Sequence, residues 1–156
     1  VSQRDLLRSS LIEQADVPDF VEDALLEKLE VRELMTTGVL SVEAEVDIRE
    51  AAQILWESKY GCLPVVEGPR LVGILTERDC LQVVLQAGYY GQPGGLVRDY
   101  MTAAPTSVTP EDTILELAER FIHEGYRRYP VVDGGRLVGV ISRRDVMRAM
   151  GAHYPA

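Results

Sequence analysis

The chain is poor in the residues that most active-site chemistry needs. Its two cysteines, Cys62 and Cys80, are too few for a disulfide framework and lack metal-ligand spacing, so a reducing, cytoplasmic setting is expected. Its two histidines, His123 and His153, have no carboxylate or thiol at ligand or triad spacing, which argues against metal and nucleophile roles. No apolar run approaches the roughly 18 residues of a membrane span. Residues 1–10 carry charges where a secretory signal would be apolar. Cations are scarce as well, 16 Lys and Arg against 25 Asp and Glu, for a net charge of -9 and a pI near 4.7. That balance argues against nucleic acid and anionic membrane as partners, because both are held by excess Lys and Arg. A Gly-rich phosphate loop, a nucleophile elbow and a zinc motif are all missing, so no catalytic constellation exists and an enzyme is not expected. The carboxylates Asp16, Asp19, Glu22 and Asp23 lack calcium-loop spacing and read as a solvated helix face. What is left is an ordinary globular composition: 156 residues, 46% hydrophobic and 26% charged. This is the size of one domain, or of two small units sharing a core.

What the chain does have is an internal repeat. At an offset of 66 residues, 31–84 aligns without gaps on 97–150, with roughly 21 of 54 positions identical. Val31-Arg32-Glu33-Leu34-Met35-Thr36 falls on Val97-Arg98-Asp99-Tyr100-Met101-Thr102, Pro64-Val65-Val66 on Pro130-Val131-Val132, and Arg70-Leu71-Val72-Gly73 on Arg136-Leu137-Val138-Gly139. Each unit opens with a short extended stretch, 39–42 or 106–108. An amphipathic helix follows, with Ile48, Ala51, Ala52 and Leu55 on one stripe in the first copy and Ile114, Leu117, Ala118 and Phe121 in the second. Asp47…Glu50 and Thr113…Glu116 have the spacing of capping boxes. Two β-branched runs, 63–66 with 71–75 and 129–132 with 137–141, read as hairpins. Gly68-Pro69 suits a type II′ turn, since proline cannot take positive φ, and Gly134-Gly135 can adopt the same turn. A last helix closes each unit, over about 76–87 and 142–150. The fold class is therefore α/β (α+β): two β-α-β-β-α repeats forming a pseudo-twofold pair packed sheet against sheet, since about 55 residues alone bury too little surface.

The expected organisation is a helical leader at 1–30, a first repeat with its connector at 31–90, a second repeat at 91–151 and a tail at 152–156. In the leader, Leu6, Leu7, Ser10 and Leu11 form one stripe and Val21, Leu25 and Leu29 another, broken at Asp16-Val17-Pro18-Asp19. These stripes are too narrow to stand alone and must dock on the repeats or on a partner chain. Trp56 and Tyr60 are expected in the core or at a dimer face.

The repeated signature, Leu63-Pro64-Val65-Val66 with Gly73-Ile74-Leu75-Thr76-Glu77-Arg78-Asp79, and Tyr129-Pro130-Val131-Val132 with Gly139-Val140-Ile141-Ser142-Arg143-Arg144-Asp145, resembles the CBS (cystathionine-β-synthase) domain. Two copies in register resemble a tandem pair, or Bateman module, over about three quarters of the chain. The resemblance implies a regulatory module without catalysis and with no required cofactor. It would bind an adenosine-containing ligand (AMP, ADP, ATP or S-adenosylmethionine) in clefts between repeats. It would also pair through helical faces into a homodimer and signal occupancy to a separate effector protein.

Carried over position by position, the resemblance makes Asp79 and Asp145 acceptors for ribose hydroxyls and gives Thr76 and Ser142 contacts to ribose or phosphate. The same residues at a helix start also form plain capping boxes, and one side chain can serve both roles. Arg127 and Arg128, just ahead of Pro130, would reach phosphates in the Asp79 cleft, or else line a solvated strand edge. Gly61 and Cys62 occupy the corresponding place beside the Asp145 cleft, which has the weaker claim on an anion. Arg78, Arg143 and Arg144 sit near helix N-termini, where a cation gains from a nearby anion. Thr36 and Thr102, with Leu40 and Thr106, match positions that frame the base, or else cap and pack. The alternative for the whole chain is a structural dimerisation module with vestigial clefts. The charge is unevenly spread: three cations against eight carboxylates over 1–30, five against nine over 31–90, and eight against eight over 91–156. The second repeat thus carries half of the chain's cations inside an acidic protein.

Overall fold

The computed structural model describes residues 28–90 and 94–153. The leader stripes at residues 1–27 and the middle of the connector lie outside them. The elements run α1 (Val31–Leu34), β1 (Val42–Glu43), α2 (Ile48–Ser58), β2 (Cys62–Glu67), β3 (Arg70–Thr76), α3 (Glu77–Tyr90), α4 (Val97–Tyr100), β4 (Thr102–Ala103), α5 (Ile114–Glu124), β5 (Arg128–Asp133), β6 (Arg136–Ser142) and α6 (Arg143–His153). Helix α3 extends three residues past the expected end and takes up part of the expected connector loop.

Local chemistry accounts for most boundaries. Helix α2 buries Ile48, Ala51 and Leu55, and α5 buries Ile114, Leu117 and Phe121, the same stripe in each repeat. Thr113 caps α5 as its spacing predicts, with Oγ1 accepting from Glu116 N at 3.2 Å. Asp47 instead accepts from Arg49 N at 2.8 Å, one residue short of a box, and its carboxyl is held below the usual range by the Arg49 side chain and backbone. The hairpins are two-residue turns closing Glu67–Arg70 and Asp133–Arg136. Gly68, at φ +60, precedes Pro69, as a type II′ turn requires. The second turn departs from expectation: Gly134 and Gly135 both take positive φ, +61 and +86, which is the I′ pattern that two glycines permit and proline forbids.

The strands join one sheet in the order β1-β2-β3-β6-β5, with β4 paired to β3, in place of two sheets laid face to face. The halves meet at the hairpin tips, where Arg70 pairs with Arg136 and Leu71 N donates to Gly135 O at 3.1 Å. The extended stretches shrink to β1 in the first repeat and to a bridge of Val108 with Val131 in the second.

The two hydrophobic cores are built by exchange. Val97, from the second repeat, lies fully buried in the core of Ile48, Leu55, Leu63 and Leu75, while Val31 lies fully buried in the core of Ile114, Phe121, Tyr129 and Ile141. Backbone bonds come in matching pairs: Val31 N to Asp112 O at 2.8 Å and Val97 N to Val46 O at 2.9 Å, Arg32 N to Pro110 O and Arg98 N to Ala44 O, Ile114 N to Leu29 O and Ile48 N to Gly95 O. Downstream, Thr36 exchanges both backbone bonds with Val140, and Thr102 lies opposite Ile74. Each repeat's opening segment therefore completes the other repeat. Across the same seam Arg32 pairs with Glu111, and Arg98 with Glu45. These pairs are exposed and worth at most about 1 kcal/mol each, so apolar burial and backbone bonding hold the exchange together.

The crossing explains the signature glycines. A Cβ on Gly73 would stand 2.5 Å from Met101 Sδ and 2.9 Å from Thr102 O; on Gly139 it would stand 2.7 Å from Met35 Sδ and 2.9 Å from Thr36 O. A methionine tip can yield, whereas a paired strand carbonyl cannot. Gly73→Ala and Gly139→Ala should each destabilise by about 1–3 kcal/mol, as overpacking does. Gly151→Ala, on α6 with open space around it, should stabilise by about 0.5–1 kcal/mol. Urea titrations of the three variants test this; equal effects at the two signature sites and at Gly151 would contradict it.

Candidate functional site

Because each opening segment crosses to the other repeat, the ends of β3 and β6 and the starts of α3 and α6 face segments of opposite origin. Between them lies one continuous cleft of about 930 Å³. One half is lined by Lys59, Gly61, Cys62, Thr76 and Glu77 from the first repeat, with Thr102, Ala104, Pro105 and Thr106 from the second. The other half is lined by Tyr126, Arg127, Arg128, Ser142 and Asp145, with Thr36, Gly38 and Leu40 from the first.

Both helix starts are closed by reciprocal boxes. Thr76 N donates to Asp79 Oδ2 at 2.9 Å and Asp79 N to Thr76 Oγ1 at 3.2 Å. Ser142 N and Oγ donate to Asp145 Oδ2 at 2.8 and 3.0 Å, and Asp145 N returns to Ser142 Oγ at 3.2 Å. The capping role is thus present in both copies. The second carboxylate is buried, at 6% exposure, and its other oxygen accepts from the Arg148 guanidinium. The first repeat has Gln82 at the position of Arg148.

The cleft brings together Thr36, Leu40, Gly61, Cys62, Thr76, Thr102, Thr106, Arg127, Arg128, Ser142 and Asp145. It does not take in Arg78, Asp79 or Arg144. Arg78 and Arg144 are exposed on their helices, each one position before the half-buried Asp79 and the buried Asp145. Arg128 spans the seam between the repeats. Strand register sets it opposite Ser142 of its own repeat, as Cys62 is set opposite Thr76. Its guanidinium then leans across the seam over the Tyr60 ring, 5.1 Å from the centroid. Arg127 is exposed at the mouth. The Cys62 thiol is pushed above its usual range by burial, with Arg128 partly opposing the shift, so it lines the cleft as a neutral thiol. Tyr129 packs on Phe121 with its hydroxyl donating to Glu124 at 2.6 Å; burial and that carboxylate raise its pKa, and the same bond lowers that of Glu124.

Sequence reasoning missed Lys59, Tyr60, Glu77 and Tyr126. Lys59 ends α2 in the left-handed region at φ +62, where the second repeat has Gly125 at φ +77. Ala104 is likewise left-handed, at φ +50, opposite Gly38 at φ +64 in the other copy. The alignment of a lysine on a helix-ending glycine was the readable signal. With Lys59 included, the lining has three cations, Lys59, Arg127 and Arg128, against the carboxylates of Glu77 and Asp145. The cleft is net positive in a chain of net charge -9. Trp56, expected in a core or at a dimer face, is 82% exposed. No helix among the described residues is long and apolar enough to cross a membrane.

The chain is 30% identical over 125 residues to an uncharacterized protein of Methanocaldococcus jannaschii, covering 80% of this chain and 44% of that protein. It is 33% identical over 122 residues to an uncharacterized 17.7 kDa protein of Acidianus ambivalens, covering 77% and 72%. This chain therefore spans less than half of the first relative and most of the second. Among solved structures, CBSX2 of Arabidopsis thaliana in complex with AMP superposes with a TM-score of 0.71 at 30% identity, covering 80% of this chain and 98% of that one. The pattern of the CBS domain matches residues 31–86 and 97–152, the two repeats found by self-alignment. The chain belongs to the CBS domain family, as a tandem pair.

Proposed function

We propose that the chain is a regulatory module that binds an adenine nucleotide in the cleft between its repeats and passes occupancy to a partner protein. The observation that carries this reading is the sign of the cleft: Arg127, Arg128 and Lys59 make it positive in an acidic chain, where electrostatic focusing favours an anion. Guanidinium forks suit phosphate oxygens. The AMP complex of CBSX2, at 30% identity, supports the ligand class. AMP, ADP and ATP are preferred over S-adenosylmethionine, whose sulfonium adds a cation to a cleft already positive. On this reading Ser142 and Asp145 hold the ribose, with Asp145 exchanging its bond to Arg148 for one to a hydroxyl. Thr36 and Leu40, and Thr102 and Thr106, frame the base. A change in the relative angle of the repeats transmits occupancy only to the extent that the ligand prefers one angle.

Self-association fits the outer face of the first repeat, where Trp56, Leu81 and Val84 are exposed on adjacent helices. A dimer with vestigial clefts remains the second reading, and the capping bonds that already engage Asp79 and Asp145 favour it.

A thermal-shift titration separates the two. AMP, ADP or ATP at about 100 times its Kd should add about 2.7 kcal/mol of apparent stability. A melting curve unmoved by all three would leave the structural dimer as the account. Replacing Arg127 and Arg128 together by Ala should weaken the nucleotide by at least about tenfold, since charge-assisted bonds contribute about 1.5–3 kcal/mol each. Cys62→Ala should leave Kd nearly unchanged; equal losses would remove the phosphate role from the arginines. Lys59→Gly should act in opposite directions on two readouts. Relief of the left-handed backbone should raise stability without ligand by about 1 kcal/mol, while loss of the ammonium weakens ATP more than AMP.

A further inference from the structure

Tyr60 and Arg128 come from different repeats and meet across the seam. The Arg128 guanidinium stands over the Tyr60 ring, 5.1 Å from its centroid. The offset between the copies sets Tyr60 on Tyr126 and Cys62 on Arg128. Tyr126 therefore finds a cysteine where the pseudo-twofold would place an arginine, and its ring lies edge-on to Tyr129 instead, at 5.6 Å and 69°. The backbone differs to match. Tyr60 lies between Lys59 at φ +62 and Gly61 at φ +77, both left-handed. In the second repeat Gly125 is left-handed at φ +77, whereas Arg127, in the place of Gly61, is not. The chain thus leaves α2 and α5 by different paths, and the two tyrosines turn to different neighbours.

The contact gives the two adjacent arginines unequal roles. Arg128 is half-buried under its partner ring, while Arg127 is exposed. Among the described residues Arg128 forms no ion pair. Contact with a ring face leaves the N–H donors of a planar guanidinium open to phosphate oxygens. The charge is felt on the first repeat, where it opposes the upward push of burial on the Cys62 thiol. A long side chain loses rotamer freedom when it closes on a ligand, and one already seated loses less.

We propose that Tyr60 is a positioning residue for phosphate recognition: its ring seats the Arg128 guanidinium across the seam, so that Arg128 meets the phosphate pre-placed while Arg127 must order on binding. The role rests on the cleft being an adenine-nucleotide site, and one arm of the test therefore needs no nucleotide. In the first arm, calorimetric titrations of the full chain use AMP, with adenosine as the phosphate-free control. Tyr60→Leu should weaken AMP by about two- to fivefold, the size of an exposed cation–π contact, and leave adenosine unchanged. Tyr60→Phe, which keeps the ring, should restore AMP affinity. In an Arg128→Ala background Tyr60→Leu should cost nothing further. An equal loss of adenosine, an equal loss with Phe, or a loss that persists without Arg128 would overturn the proposal. The second arm follows alkylation of Cys62 by iodoacetamide against pH, with Cys80→Ser to leave a single thiol. Tyr60→Leu and Arg128→Ala should each move the Cys62 titration upward, and Tyr60→Phe should not. A profile unmoved by Tyr60→Leu would overturn the seat even where AMP binds. AMP failing to bind the unaltered chain, with the Cys62 profile moving as expected, would remove the nucleotide reading and the phosphate role with it, while the seat itself stands.

Discussion

The structure depends on the exchange of two short segments. Val31 and Val97 are each fully buried in the core of the repeat to which they do not belong. A repeat of about 55 residues buries too little surface to hold a fold alone. Exchange turns two insufficient cores into two that are mutually completed, and neither can close without the other. The close approach of the crossing strands then fixes Gly73 and Gly139, where a carbonyl 2.9 Å from the would-be Cβ leaves no room for a side chain. The glycine that heads the family signature has a packing cause here.

The same crossing creates the cleft. Had each opening segment folded back on its own repeat, Thr36 would lie beside β3, and Ser142 and Thr36 would have no common surface. With the segments exchanged, Thr36 bonds to Val140, two residues before Ser142, and Thr102 lies opposite Ile74, two residues before Thr76. A site between the repeats is therefore a consequence of how the cores are completed. Any change in the angle between repeats acts on both halves of the cleft at once, because each half is made from both.

Much of this was legible in the residues, and the illegible part has a definite physical character. Helical stripes such as Ile48, Ala51 and Leu55 announce which face is buried, and the turn residues announce where strands reverse. None of these signals states against what a face is buried. Val31 and Val97 read as apolar starts of their own units, and nothing local distinguishes exchange from closure in place. The second turn was misread because Gly134-Gly135 permits two turn types, and the strand twist selects I′. Asp79 was paired with the arginines by family pattern alone; strand register starts Arg128 opposite Ser142, and its guanidinium crosses the seam to Tyr60 of the first repeat. Lys59 was overlooked because a lysine at a helix end looks like solvated charge until its φ is known.

The two halves share a backbone frame and differ in chemistry. The half containing Thr76 holds both left-handed non-glycine residues found among the described residues, Lys59 and Ala104, while their glycine counterparts, Gly125 and Gly38, belong to the half containing Ser142. That second half instead holds the two arginines and the buried carboxylate tied to Arg148. Backbone strain persists only where the surroundings over-determine it. In the first half, the β4 pairing on β3 fixes Ala103, and the C-cap bond from Lys59 N to Leu55 O fixes the end of α2. A pseudo-twofold frame with the same strand ends on both sides would bind an extended anion equally well in two orientations. Unequal charges remove that degeneracy: Arg127 and Arg128 have only Gly61 and Cys62 as their counterparts, so the two orientations of a charged ligand differ in energy. The pair of repeats thus supplies a common geometry, and its divergence supplies a direction.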